Sequence, residues 1–157
     1  MAYEYSHIEN LKIEKFPPDG LIFEVGNSAI YEAKVVNGIN RFDISFSAGF
    51  AYVENSKINY LSYENQTIGW PLPEEIIYPF GDIDCTQDVM DAALDGKDIV
   101  FIASTAHDTG AGEVVDSTYS INISLKKPED GDGNGDGKTN WTALIIIAVV
   151  AYALMEL

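Results

Sequence analysis

Two stretches of the chain, residues 41–48 and 118–125, alternate strictly between apolar and polar positions. A period of two with one polar face is typical of antiparallel strands that cover a core from one side. The alternation therefore predicts two strands whose large apolar side chains point inward. The predicted core residues are Phe42, Ile44, Phe46, Tyr119, Ile121 and Ile123.

Shorter apolar runs predict further strands in the first 127 residues. Turn-forming segments separate these runs, and Asn37-Gly38 between two of them predicts a β-hairpin, because both residues tolerate positive φ. About eight short strands with frequent turns predict an all-β fold over residues 1–127, an antiparallel β-sandwich of immunoglobulin-like or jelly-roll topology. The additional runs are residues 11–13, 21–25, 29–36, 50–53, 58–63 and 98–104.

One segment, DCTQDVMDAALDG at residues 84–96, has a helical pattern instead. Thr86 is a suitable N-cap and Gly96 a suitable C-terminal stop. Apolar side chains at helical spacing then share one face, so we expect a short helix lying over the end of the sandwich. Those side chains are Val89, Met90, Ala93 and Leu94.

The composition changes sharply after Lys127. Residues 128–140, PEDGDGNGDGKTN, contain no large apolar side chain and four glycines, so they predict a flexible acidic linker. Residues 139–155 carry no charge, which predicts a C-terminal hydrophobic helix over 141–157 and an anchor in a membrane. At 1.5 Å per residue the uncharged stretch is about 25 Å long, slightly less than a typical hydrocarbon core. The predicted anchor residues are Trp141, Leu144, Ile145, Ile146, Ile147, Val149, Val150, Tyr152 and Leu154.

A core helix is the alternative interpretation of the C-terminal segment. The segment is apolar on every side, whereas a core helix has a single apolar stripe, so the pattern favours the anchor. Trp141 and Tyr152 stand near its two ends, where amphipathic rings prefer the membrane interfaces.

The linker contains a possible calcium loop. In a twelve-residue frame, Asp132, Asn134 and Asp136 fill positions one, three and five, and Asn140 fills position nine. This segment resembles the calcium loop of dockerin modules and, more loosely, that of EF-hands. The resemblance implies calcium ligation by these four side chains, but Ala143 stands where the loop needs a carboxylate. The sequence therefore predicts weak calcium binding or none.

The charge balance limits the partners. With 25 acidic and 9 basic residues the net charge is −16, and such a surface repels nucleic-acid backbones. One cysteine, Cys85, excludes an internal disulfide framework. The N-terminus lacks a basic start followed by an apolar run, so we expect no secretory signal peptide and a body on the cytosolic side.

No enzyme signature is evident in the sequence. Cys85, His107 and Asp108 are the only triad-like set, and nothing in the sequence brings them together, so we expect no catalytic activity and a buried or half-buried Cys85. His7 and His107 are too few for a zinc site. Three glycosylation sequons, at Asn65, Asn122 and Asn140, matter only if the body is exported.

The predicted organisation favours a membrane-anchored structural protein. Lys126, Lys127 and Lys138 all lie on the body side of the anchor, in agreement with the positive-inside rule. This architecture resembles that of small β-sandwich or jelly-roll capsid and vertex proteins of membrane-containing viruses. The resemblance implies a virion component, with the lipid membrane and either its own copies or other structural proteins as partners. The alternatives are a cell-surface immunoglobulin-like protein and a dockerin-like calcium module.

Overall fold

The fold consists of strands and one short helix. The computed structural model describes residues 3–18, 20 and 22–127. Ten strands and one helix lie in this part of the chain. They are β1 His7–Phe16, β2 Ile22–Phe23, β3 Ser28–Val36, β4 Ile44–Glu54, β5 Lys57–Ile68, β6 Ile76–Ile77, β7 Phe80–Asp84, α1 Gln87–Leu94, β8 Val100–Asp108, β9 Glu113–Asn122 and β10 Ser124–Leu125.

Two antiparallel sheets form the body. In the first sheet β3 pairs with β1 on one side, and with β7 and then β6 on the other. The second sheet has the order β5-β4-β8-β9. A short parallel pair joins β10 to β2 near the end of the described chain. The prediction of an all-β, sandwich-like fold is therefore confirmed.

The core lies between the two sheets and is rich in aromatic rings. Tyr31 of the first sheet stacks against Phe46 of the second, with ring centroids 6.1 Å apart. Phe50 meets Phe101 edge-to-face at 5.4 Å and Phe23 in the same manner at 5.3 Å. Offset and edge-to-face arrangements suit the ring quadrupoles, so these contacts stabilise the fold beyond the area that they bury.

The predicted core residues are confirmed with one exception. Ile44, Phe46 and Ile123 are buried, and Tyr119 and Ile121 are partly buried against the core. The prediction that Phe42 belongs to the core is wrong, because 36% of its surface is exposed. The strand begins only at Ile44, so the residues before it follow a loop and not the pleat.

The predicted hairpin at Asn37-Gly38 is also wrong. β3 and β4 belong to different sheets, and the intervening segment crosses between them. The Asn37 amide donates to the carbonyls of Pro71 and Leu72, at 3.2 and 2.8 Å, which ties this crossing to the segment after β5. A two-residue hairpin instead joins β4 to β5 at Asn55-Ser56, which have φ of 54° and 61°.

The helix occupies its predicted position. Thr86 has the extended backbone of an N-cap, but its hydroxyl makes no capping bond. Gly96 has φ of 89° and its N–H donates to the Ala93 carbonyl, so it stops the helix as predicted. Leu94 was expected on the buried face and is exposed instead, because it follows Ala93 around the helix towards solvent.

Two hydrogen bonds link the sheets, one at the edge strand β1 and one at the edge strand β5. The Ile8 N–H of β1 donates to the Ser117 hydroxyl of β9 at 3.0 Å. On the opposite side the Ser62 hydroxyl of β5 donates to the Asp84 carbonyl at 2.6 Å. Edge strands present unpaired backbone groups that recruit other strands, so these contacts protect both edges.

Residues 128–157 lie outside the described residues, and so do the predicted linker over 128–140 and the predicted C-terminal helix over 141–157. Within the described part of the chain, no helix is long and apolar enough to cross a membrane.

Candidate functional site

Both predicted sets of binding residues lie outside the described residues. The calcium set is Asp132, Asn134, Asp136 and Asn140, and the anchor set is Trp141, Leu144, Ile145, Ile146, Ile147, Val149, Val150, Tyr152 and Leu154.

The structure does not pair the three triad-like residues with one another. Cys85 is a buried, free thiol among core side chains, and burial raises its pKa to about 11. His107 pairs with Asp116 and not with Asp108, which instead accepts a hydrogen bond from the Gly110 N–H. Among the described residues, no group of three or more His, Cys, Asp or Glu side chains could hold a metal ion.

A β-bulge creates the His107–Asp116 pair. Thr105 faces Ser117, whereas the next residue, Ala106, faces Val115, so Asp116 is the extra residue of β9. Bulges re-aim side chains, and here the Asp116 carboxylate lies 2.9 and 2.8 Å from the His107 Nδ1 atom. Both side chains are almost fully buried. The imidazole is therefore fixed in one orientation at the end of β8.

Aromatic rings surround this imidazole. Tyr5 stacks on His107 with a centroid distance of 4.5 Å and an interplanar angle of 10°. Phe42 packs on the imidazole at 4.6 Å. The imidazole therefore supports the ring of Phe42, which gives this loop residue a fixed position at the surface.

A cavity of about 220 Å³ opens beside Phe42, and Asp43, Trp70 and Asp108 complete its lining. Two aromatic rings and two carboxylates thus meet at the end of the sandwich where β4 begins and β8 ends. None of the four lining residues is basic.

Trp70 is held tightly although 59% of it is exposed. The backbone N–H of Trp70 donates to Asp43 Oδ1 at 2.8 Å, and its backbone carbonyl accepts a hydrogen bond from the Arg41 guanidinium at 2.7 Å. The same guanidinium lies 4.9 Å from the centroid of the indole. Trp70 also has φ of 41°, a left-handed conformation that bulky residues rarely adopt, and these contacts stabilise it.

Four cross-strand rows on the outer face of the second sheet carry no charged side chain, and the next row, at the end of β8, is the charged pair Asp108–Glu113. Directly paired residues of antiparallel strands share a face, so the registers of β5, β4, β8 and β9 define four cross-strand rows. We call these rows the uncharged face. The rows are Thr67–Ser45–Ala106–Val115, Asn65–Ser47–Ser104–Thr118, Tyr63–Gly49–Ile102–Ser120 and Tyr60–Ala51–Val100–Asn122.

Hydrogen bonds and ring stacking organise the uncharged face. The Asn65 amide donates to the hydroxyls of Ser45 and Ser47, at 2.9 and 2.8 Å. The hydroxyls of Tyr60 and Ser104 lie 2.8 Å apart, and Tyr60 stacks on Tyr63 at 4.9 Å. Burial is the largest cause of the raised pKa of Tyr60. The face is therefore preorganised and polar without being charged.

The outer face of the first sheet is charged. The registers of β1, β3 and β7 place four carboxylates there, together with Lys12, Lys34 and exposed apolar side chains. The acidic members of this outer face are Glu14, Glu32, Asp82 and Asp84.

A polar cluster fills the space between β3 and β5. The Tyr31 hydroxyl donates to Glu64, and the Gln66 amide contacts the same hydroxyl at 2.9 Å and the Phe80 carbonyl at 3.0 Å. Burial and the neighbouring Glu64 carboxylate raise the pKa of Tyr31. Gly81 leaves space for Glu64, because a Cβ at Gly81 would overlap that carboxylate.

Comparison with known proteins yields structural similarity alone. No protein-family model matches the chain, and no curated protein matches it. The fold is similar to a CARDB domain from Pyrococcus furiosus, which was crystallised in complex with di-metal ions. The two sequences are 16% identical and the TM-score is 0.38. The similarity covers 80% of this chain and 100% of that chain.

Two further solved structures are similar at the same level. The sporulation control protein Spo0M from Bacillus subtilis has 10% identity and a TM-score of 0.38, with 80% of this chain and 51% of that chain covered. A protein from Archaeoglobus fulgidus has 13% identity and a TM-score of 0.39, with 72% and 91% covered.

The residues of the cavity and of the uncharged face were not predicted as site residues. A sequence signal for the face existed, since the polar positions of the two alternating stretches are serine, threonine and asparagine with few charges. The cavity had no such signal, because its residues come from three separate segments.

Proposed function

We propose that this protein is a membrane-anchored structural protein, a building block of a virion whose body packs against neighbouring copies. The observation that carries the proposal is the uncharged face. Copies with a net charge of −16 repel one another, so close contact between them requires a surface without carboxylates. The four uncharged rows of the second sheet supply such a surface, and the charged outer face of the first sheet is then left for solvent or another partner.

The anchor part of the proposal rests on the sequence of residues 141–157. A segment that is apolar on every side needs lipid or other apolar chains around it. The polar segment 128–140 would allow the body to adopt its position in a lattice while the anchor stays in the membrane.

For the fold we propose the immunoglobulin-like topology over the jelly roll. The order β1-β3-β7 in one sheet and β5-β4-β8-β9 in the other corresponds to the A-B-E and C′-C-F-G sheets of immunoglobulin-like domains.

Anchoring is tested by flotation. The full chain and a chain ending at residue 138 are each mixed with liposomes and centrifuged in a density gradient. We expect the full chain to float and the shortened chain to remain in the soluble fraction. If both chains stay soluble and monomeric without detergent, the anchor proposal is wrong.

Association is tested by placing a charge on the uncharged face. Thr118→Glu adds a carboxylate in the second row, and Ile30→Glu adds one on the outer face of the first sheet as a matched control. On liposomes, energy transfer between labelled copies should fall for Thr118→Glu and persist for Ile30→Glu. It should also increase with salt, because screening weakens the repulsion. An equal effect of both substitutions would exclude the uncharged face as the contact.

A cell-surface immunoglobulin-like protein is the second candidate. The exposed side chains of Asn65 and Asn122, both in sequons, favour it, because glycans attached there would cover the uncharged face. Protease protection of the membrane-bound protein in cells distinguishes the candidates, since the virion proposal places the body on the cytosolic side.

A further inference from the structure

The cavity at the Trp70 end of the sandwich combines two chemistries that suit an organic cation. Its aromatic residues, Phe42 and Trp70, offer ring faces with negative quadrupoles, and its carboxylates, Asp43 and Asp108, offer full negative charges. Its volume of about 220 Å³ is several times the roughly 30 Å³ that liquid water gives each molecule. The cavity can therefore admit the end of a side chain.

Both carboxylates are fixed in orientation by the backbone. Asp43 Oδ1 accepts a hydrogen bond from the backbone N–H of Trp70 at 2.8 Å, and Asp108 Oδ1 accepts one from the backbone N–H of Gly110 at 2.8 Å. Because each of these contacts uses one oxygen, the second oxygen of each carboxylate can accept a bond from a ligand.

The indole of Trp70 is fixed as well. Asp43 and Arg41 hold its backbone, and the Arg41 guanidinium lies over the ring. An exposed aromatic side chain in a left-handed conformation is costly unless its surroundings determine it, and such positions cluster at ligand sites.

An ammonium group fits this lining better than a metal ion does. Calcium and magnesium require six or more oxygen ligands, and two of the four lining residues are aromatic. A primary ammonium has three N–H donors for the carboxylate oxygens and an alkyl stem for the rings.

The position of the cavity favours a protein as the source of the ammonium. Val100 and Asn122 are paired at one end of the second sheet, near the last described residues, and Asp108 lies at the other end of β8. Eight residue steps along a strand span about 26 Å, so the cavity lies far from the point where the chain leaves the body. If residues 141–157 anchor the protein, as the proposed function requires, the cavity faces away from its own membrane.

We propose that the cavity lined by Phe42, Asp43, Trp70 and Asp108 binds the ammonium group of a lysine side chain on a partner protein. The acidic charge of the body attracts such a basic partner from a distance, and the cavity then positions one lysine.

The test uses the full chain in detergent micelles, with Trp141→Phe so that Trp70 is the only tryptophan. Nα-acetyl-lysine amide is titrated while the fluorescence of Trp70 is recorded. We expect a saturable change with the lysine probe and none with the neutral analogue Nα-acetyl-norleucine amide. Asp108→Asn keeps an oxygen for the Gly110 N–H but removes the charge, so it should weaken binding about tenfold.

Controls separate local recognition from general attraction. Asp82→Asn removes one charge from the outer face of the first sheet and should leave the affinity within about twofold of the unsubstituted chain. Equal binding of the norleucine probe, or no saturable response to the lysine probe, overturns the proposal. Tighter binding of choline than of the lysine probe also overturns it and assigns the cavity to a lipid headgroup. Flotation of the full chain is independent of these results, so failure here is distinguishable from failure of the anchor.

Discussion

The His107 Nδ1 atom lies 2.8 Å from Asp116 Oδ2, and nothing in the alternation of β9 would place that carboxylate under the sheet. An ionised carboxylate only accepts hydrogen bonds, so the Nδ1 atom carries the proton in this contact. The bulge at Asp116 thereby fixes the imidazole that supports Phe42 beside the cavity.

Replacing Asp116 should destabilise the fold. Asp116→Ala leaves the buried imidazole N–H without its acceptor, which should lower the free energy of unfolding by about 1–3 kcal/mol. Asp116→Asn retains an oxygen acceptor and should cost less. Urea denaturation of the three proteins measures the difference, and equal stability of the alanine variant would show that this contact contributes nothing.

The two phenylalanines of the first alternating stretch should respond differently to truncation. Phe46 is fully buried, so Phe46→Ala should cost about 3–5 kcal/mol. Phe42 is partly exposed, so Phe42→Ala should cost only about 1 kcal/mol. Thermal and urea unfolding provide the comparison. Similar costs at both positions would mean that Phe42 belongs to the core after all.

Gly49 of β4 should not tolerate a larger side chain without loss of stability, whereas Gly69 should tolerate alanine. A Cβ at Gly49 would overlap the Ser62 carbonyl and the Tyr63 backbone, so Gly49→Ala should destabilise by about 1–3 kcal/mol. A Cβ at Gly69 meets nothing within 4 Å, so Gly69→Ala should be neutral or stabilise by up to about 1 kcal/mol. Denaturant midpoints of the two variants check this pair.

Stability should decline at alkaline pH. The pKa of Cys85 rises from an ordinary value of 9.0 to about 11, and burial also raises those of Tyr31 and Tyr60. Above pH 9 the unfolded chain therefore loses protons that the folded chain keeps, and the free energy of unfolding falls as pH rises. Urea titrations between pH 7 and pH 10.5 should show this fall, with a smaller slope for Cys85→Ala.

The thiol supplies an independent check. Cys85 should react slowly with thiol reagents at pH 8 in the native protein and quickly in denaturant, because only the thiolate reacts and burial disfavours it. Rapid labelling of the native protein would contradict a buried thiol of raised pKa.

Calcium should bind residues 132–143 weakly or not at all. Ala143 stands at the position where the loop requires a bidentate carboxylate, so the strongest ligand is lacking. Calorimetry with the full chain measures the affinity. A dissociation constant on the order of a micromolar that is lost in Asp132→Ala would reverse this expectation.

Strand positions were predictable because inward and outward side chains alternate with a fixed period. The alternation identified Phe46 and Ile123 as core residues without any tertiary information. It failed at Phe42 because a loop can continue the pattern of a strand by chance. Pairing between strands was less predictable, since Asn37-Gly38 and Asn55-Ser56 are both plausible turns, and only the second connects neighbours in one sheet.

The site residues were not predictable for a related reason. Asp116 contacts His107 only because a bulge adds one residue to β9, and the sequence pattern does not reveal this extra residue. The cavity likewise depends on the crossing of the chain between sheets, which brings Asp43 against Trp70. Such contacts follow from the tertiary arrangement, in which residues distant along the chain become neighbours.

If copies associate as proposed, the uncharged face also bears on how they meet. Two acidic bodies that approach with carboxylates opposed repel one another before they touch, whereas bodies that approach through the uncharged face meet the weakest repulsion. Repulsion would thus reduce the share of collisions in which the bodies are wrongly oriented. It would reduce the number of unproductive encounters without adding any attractive contact, so that correct alignment would be selected kinetically during the approach.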